Sequence, residues 1–183
     1  MIRAFIAVGS NLGNRSGNLS SAKSWLEKNR RIKVVKLSPV YQTEPVGGPP
    51  QGKYLNAVWE IAAGLKPREL LGELLKVEIL LGRRRKEKNA PRTLDLDLLF
   101  YGNQVIHEPG LEVPHPRLHQ RAFVLKPLAD IAPDWIHPEL GKTIKFLWEE
   151  ICARSEAQVW SKFERDTKLR SPEAGNNPLK TKK

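Results

Sequence analysis

The chain has 183 residues, 40% of them hydrophobic and 28% charged, a balance that suits one compact domain with a real core and excludes a disordered chain. Cysteine occurs once, at Cys152, so neither an internal disulfide nor a multi-cysteine zinc site can be assembled, and the expected compartment is the reducing cytoplasm. Lys and Arg number 31 against 20 Asp and Glu, a net +11 that points to polyanions, anionic membranes or phosphorylated small molecules as partners.

Ile2, Ala4, Ile6 and Val8 alternate with Arg3, Phe5 and Ala7, which predicts a strand ending in the turn Gly9-Ser10-Asn11-Leu12-Gly13-Asn14. A helix follows, capped by Asn14 or Ser16 and running to Arg30, with Leu19, Ala22, Trp25 and Leu26 on its apolar face. Residues 32–41 read as a second strand. Residues 42–53 hold Pro45, Gly47, Gly48, Pro49, Pro50 and Gly52 and predict a long shaped loop, after which 54–63 resumes strand character. Pro67 opens a second helix whose stripe of Leu70, Leu71, Leu74, Leu75, Val77 and Leu81 stops at Gly82. Beyond a basic loop, Leu94, Leu96, Leu98 and Phe100 alternate with Asp95, Asp97 and Leu99, giving a fourth strand with one apolar and one acid-bearing face. The order β-α-β-β-α-β is that of the α+β, ferredoxin-like fold, an antiparallel sheet with two helices on one face. Residues 102–150 add turns, a short hairpin and helical pieces around 123–131 and 143–151, which extend the sheet or cover it. One domain is expected over 1–155. Residues 156–183 form a basic tail too poor in apolar residues to repay its ordering entropy, and disorder is expected there. No apolar run is long enough for a signal-peptide core or a membrane span, so no membrane partner is expected.

Two positions apart on a strand, Asp95 and Asp97 project from the same face with like charge, so cations must sit beside them. They are either solvated acids paired with Lys or Arg, or ligands for magnesium, which takes one or two carboxylates plus substrate phosphates. Residues 83–92 carry six basic groups against one acidic and deliver them onto this strand. Arginine forks match phosphate oxygens, so acids for metal beside arginines for phosphate make a metal–nucleotide site. Glu78, on the Leu70–Leu74 row at the end of the second helix, calls for a cation from 83–85, as a structural salt bridge or as part of the site. His115, between Pro114 and Pro116 and near Arg117 and Arg121, could aim one donor and two guanidinium groups at phosphate. Tyr54 and Asn56 share a strand face, an aromatic surface beside an amide that donates and accepts, as a flat heterocycle needs.

Taken in order, these pieces resemble the 6-hydroxymethyl-7,8-dihydropterin pyrophosphokinase family over about residues 2–150. The motifs are Gly9-Ser10-Asn11-Leu12, Tyr41-Gln42-Thr43-Glu44-Pro45-Val46-Gly47, Tyr54-Leu55-Asn56-Ala57-Val58, Glu78 with Gly82-Arg83, Pro91-Arg92-Thr93-Leu94-Asp95-Leu96-Asp97, and Val113-Pro114-His115-Pro116-Arg117 followed by Arg121-Ala122-Phe123. The resemblance implies transfer of the pyrophosphoryl group of ATP to the pterin hydroxymethyl oxygen, releasing AMP, in folate biosynthesis. It implies two magnesium ions held by Asp95 and Asp97. Glu78, Arg83, Arg85, Arg92, His115 and Arg121 would form the ATP site, with Arg83 and Arg92 acting in catalysis beside the two acids. Thr43, Pro45, Val46 and Asn56 would frame the pterin, and Tyr54 and Phe123 would stack on it. The small-molecule partners are thus ATP and the pterin, with no obligatory nucleic acid, and a cytoplasmic, monofunctional monomer is expected. Two other classes compete. A ferredoxin-like RNA-binding module would use the positive charge, but the acid pair repels phosphate and residues 83–92 contain no aromatic for stacking. In a Gly-Ser nucleotidyltransferase the two motifs lie close together, whereas here Ser10 and Asp95 lie far apart in sequence.

Overall fold

Alternation in the first strand sends its side chains into two different cores, one on each side of a single sheet. The structure, a computed structural model, describes residues 1–45, 49–83 and 90–154 and the backbone of 164–165. Val46, Arg85 and the expected tail apart from 164–165 lie outside the described residues. In chain order the elements are β1 (Ile2–Ser10), α1 (Arg15–Lys28), β2 (Ile32–Leu37), β3 (Tyr41–Thr43), β4 (Tyr54–Ala63), α2 (Pro67–Leu80), β5 (Asp95–Tyr101), the hairpin β6 (Ile106–Glu108) and β7 (Leu111–Val113), α3 (Ala122–Ile131), α4 (Ile144–Arg154) and β8 (Glu164–Arg165).

The sheet is antiparallel in the order β5-β1-β4, with β2 and β3 following one another along the outer side of β4 and β8 paired with β3. The ferredoxin-like expectation is therefore met. Helices α1 and α2 bury Leu19, Ala22, Leu26, Leu70, Leu74 and Val77 against Ala4, Ile6, Val8, Trp59, Ile61 and Leu96. On the opposite face α3 and α4 close over Phe5, Val58, Leu99 and Phe100. The C-terminal additions thus cover the sheet, leaving the acid-bearing end of that face for the site.

Four local expectations are corrected. The strand expected over 32–41 is broken, because Pro39 has no N–H to continue a ladder. Ser38 repairs the break: its N–H bonds the Val58 carbonyl and its hydroxyl accepts the Val58 N–H at 2.9 Å. Helix α1 is capped by Asn14, whose side chain accepts the Gly17 N–H, and it stops at Lys28 rather than Arg30. Trp25 lies outside the buried stripe, 37% exposed with the Lys28 ammonium over its ring. Phe100 does not share the Leu94–Leu98 face. The register runs Ile6↔Leu98 and then Phe5↔Phe100, so Leu99 is an extra, bulged residue that turns Phe100 into the second core.

Among the described residues no helix is long and apolar enough to cross a membrane. Ser38→Ala should strand a buried backbone N–H and cost about 1–3 kcal/mol. Denaturant unfolding should show a lower midpoint with unchanged slope, and an unchanged midpoint would mean that the Pro39 break is closed by other contacts.

Candidate active site

One register row crosses the sheet at its open end: Asp95 pairs with Gly9, Gly9 with Asn56, and Asn56 with Tyr41. A Cβ on Gly9 would stand 3.0 Å from Asn56 Oδ1, 3.8 Å from Asp95 Cβ and 3.9 Å from the Tyr54 ring. Glycine here keeps the floor between the acid and the amide clear. Asn56 donates to Thr43 Oγ1 at 2.7 Å, so both side chains are buried, mutually oriented and on the acid-bearing face.

Asp95 and Asp97 share that face as expected, and each is answered by positively charged or N–H donor groups from other segments. Arg92 Nη1 lies 3.0 Å from both oxygens of Asp95, and Arg83 lies 2.8 Å from the same carboxylate. Asp97 has Arg121 at 3.5 Å and His115 Nε2 at 3.9 Å. Burial, then the Asp95 charge, pushes the Asp97 carboxyl upward. Burial lowers His115, whose Nδ1 accepts the Arg117 N–H at 3.1 Å; the neutral ring therefore carries its proton on Nε2, facing Asp97. The His115 backbone N–H bonds the Leu99 carbonyl at 3.0 Å, so the bulge in β5 is also the anchor of this histidine.

Glu78 lies wholly inside, 2% exposed, bonded to Arg83 and accepting the Leu96 N–H at 2.7 Å between the two acids. It orients Arg83 and fixes the backbone from which Asp95 and Asp97 project. Asn11 joins the loops around the site: it donates to Gln51 Oε1 at 2.8 Å and accepts the Arg92 N–H at 2.8 Å. Asn18 similarly donates to the carbonyls of Leu12 and Thr93. Arg121 holds its guanidinium 5.7 Å from the Phe123 ring centroid, bringing that ring to the edge of the site. Pro45 is half-buried just beyond β3. Beside Asp97 and His115 opens a cleft of about 260 Å³ lined by Leu71, Leu98, Leu111 and Glu112.

Two same-face carboxylates form a donor set that suits magnesium, which completes its shell with water and phosphate. Among the described residues no group of three or more His, Cys, Asp or Glu converges as a closed metal site would require.

The family model of 7,8-dihydro-6-hydroxymethylpterin-pyrophosphokinase matches residues 5–133. The chain belongs to this family. It is 44% identical over 148 residues to the 2-amino-4-hydroxy-6-hydroxymethyldihydropteridine pyrophosphokinase of Synechocystis sp., covering 81% of this chain and 75% of that one. The enzyme of that name from Bacillus subtilis is 44% identical over 128 residues, 70% of this chain and 77% of its own. Among solved structures, wild-type HPPK-DHPS of Plasmodium falciparum superposes with a TM-score of 0.72 at 14% identity, covering 90% of this chain and 48% of that one. The chain therefore spans about half the length of that protein, and the likeness at this identity is one of fold.

Within the pyrophosphokinase fold of this chain, Asp95, Asp97, Glu78, Arg83, Arg92, His115 and Arg121 converge, and Thr43, Asn56 and Tyr54 gather beside Gly9. Sequence reasoning missed the cleft residues Leu71, Leu98, Leu111 and Glu112: Leu71 and Leu98 read as ordinary core, and Leu111 and Glu112 fell in a stretch read only as turns and a short hairpin. It also read Asn11 and Gly9 as turn residues and as part of a family motif, without assigning either a place in the site.

Burial pushes the Glu78 carboxyl up to about 7, outweighing the Leu96 amide and the Arg83 charge that favour the anion. A folded-state value above the unfolded 4.5 means that the folded chain binds more protons between these limits. This contribution to stability is complete below pH 4.5 and is lost as pH rises through about 7. The unfolding midpoint of wild type relative to Glu78→Gln should fall over that window, and a flat difference would contradict the assignment.

Proposed function

We propose that this chain performs its family's reaction with the residues gathered at the open end of the sheet. The hydroxymethyl oxygen of 6-hydroxymethyl-7,8-dihydropterin attacks the β-phosphorus of ATP. The bond from that phosphorus to the α,β-bridging oxygen breaks, AMP leaves with the oxygen, and the hydroxyl proton passes to water. Such transfer asks for in-line positioning and charge stabilisation rather than a strong base, so no general base is assigned. The observation that carries this reading is the pair of same-face acids ringed by Arg83, Arg92, Arg121 and His115, with Asp95 on the register row of Asn56, whose amide donates to the Thr43 hydroxyl.

Asp95 and Asp97 would hold two magnesium ions, which neutralise the triphosphate and the two acids together and orient the attacking oxygen. Arg83, Arg92, His115 and Arg121, with Arg85, bind phosphate oxygens and stabilise the charge that builds on them. Glu78 acts on the nucleotide through Arg83. The cleft of Leu71, Leu98 and Leu111 lies beside Asp97 and His115, so its apolar walls suit the adenine of a nucleotide whose phosphates run toward the acids. Thr43, Pro45, Val46 and Asn56 frame the pterin edge, with Tyr54 and Phe123 against its faces. We place the protein in the cytoplasm as a monomer needing neither nucleic acid nor membrane.

Incubation with magnesium, ATP and the pterin, followed by chromatography, should give AMP that depends on the pterin. Asp97→Ala should lower that yield at least about 100-fold while leaving the protein folded. ADP in place of AMP, or near-normal turnover by Asp97→Ala, would contradict the reading.

A further inference from the structure

Tyr41 closes the register row that begins at Asp95, yet nothing in the reaction above uses it. It is 5% exposed, and its hydroxyl donates to Asp130 Oδ2 at 2.6 Å, tying β3 to α3. The Lys126 ammonium bonds the other oxygen of Asp130 and lies 5.4 Å from the Tyr41 ring centroid. The two charged side chains are only 19% and 21% exposed, so their pairing is shielded from solvent.

The position of this trio in α3 matters because Pro127 lies between its two charged members. Proline has no N–H, so the Phe123 carbonyl one turn earlier loses its intrahelical donor, and the turn carrying Phe123 is weakly tied to the rest of the helix. Lys126 and Asp130 form an i,i+4 pair across the turn that begins at Lys126, just after the weakened one, and Tyr41 fastens that pair to the sheet. Phe123, Lys126 and Asp130 stand at i, i+3 and i+7, on one helix face. The far end of the helix has a separate tie, because Lys36 donates to the Ile131 carbonyl at 2.9 Å.

We infer that Tyr41, Lys126 and Asp130 are positioning residues: a clasp that holds the start of α3, and with it Phe123 and Arg121, at a fixed distance from the Asn56–Thr43 floor. The clasp thereby sets the width of the slot that takes the planar heterocycle. This inference rests on the proposed reaction and deepens it by assigning the control of pterin affinity to residues that do not touch the pterin. Ordinary helix-to-sheet packing would instead affect both substrates and the whole fold equally.

The full chain decides between them. Tyr41→Phe and Asp130→Asn should each raise the pterin KM about tenfold while the ATP KM stays within about twofold. Amide hydrogens in a peptide covering 121–128 should exchange faster in both variants, with β1 and α4 unchanged. Absence of pterin-dependent AMP from wild type would overturn the reaction and the slot with it. Wild-type turnover combined with an unchanged pterin KM in Tyr41→Phe would overturn the clasp alone. So would equal rises in both KM values accompanied by faster exchange throughout the chain.

Discussion

Repulsion between Asp95 and Asp97 is the constraint around which the chain is organised. Strand geometry sends both carboxylates to one face, and burial of Asp97 makes their shared charge costly. Three guanidinium groups and one imidazole N–H from separate segments answer it: Arg83 beyond α2, Arg92 before β5, Arg121 at the start of α3 and His115 after the hairpin. These are also the groups suited to phosphate oxygens. Under the proposed reaction, the protein without substrate and the protein with a metal–triphosphate complex would be two solutions to the same charge balance. In the first the guanidinium groups pair with the acids. In the second the incoming complex would supply positive charge to the acids and negative charge to the arginines, so little charge would be left uncompensated in either state.

Several irregularities in the fold serve this arrangement. The bulge at Leu99 turns Phe100 into the second core and frees a carbonyl that anchors His115. Glu78 spends a buried carboxylate on the Leu96 amide and Arg83, holding the strand between the two acids. Asn11 joins the turn after β1 to both flanking loops, so the segment that carries Arg92 is tied to the loop around Gln51 as well as to the sheet. These polar ties are short-range and directional, and a site assembled from loops needs them because loops carry little packing of their own.

Much of this was legible in the sequence because it rests on local periodicity. Alternation at 94–100 put Asp95 and Asp97 on one face, and the Leu70–Leu74–Glu78 row turned Glu78 toward the basic segment. Tyr54 and Asn56 shared a face for the same reason. What was not legible depends on tertiary context. A bulge leaves no mark in the alternation of Leu98, Leu99 and Phe100, since all three are apolar, and the period alone put Phe100 on the wrong side. Trp25 fits the helical stripe by spacing but lies outside the buried row. Leu71, Leu98 and Leu111 look like core residues until the folded chain shows a cleft between them. Pro39 was visible, but the tie that compensates for it comes from Val58, far away in sequence.

Calorimetric titration with a nonhydrolysable ATP analogue, with and without magnesium, tests the charge balance most directly. Wild type should bind the analogue tightly only when magnesium is present, because the acids otherwise hold the arginines. The Asp95→Asn/Asp97→Asn double variant should bind the analogue equally well in both conditions and, without magnesium, more tightly than wild type. A double variant that keeps the wild-type dependence on magnesium would contradict the account.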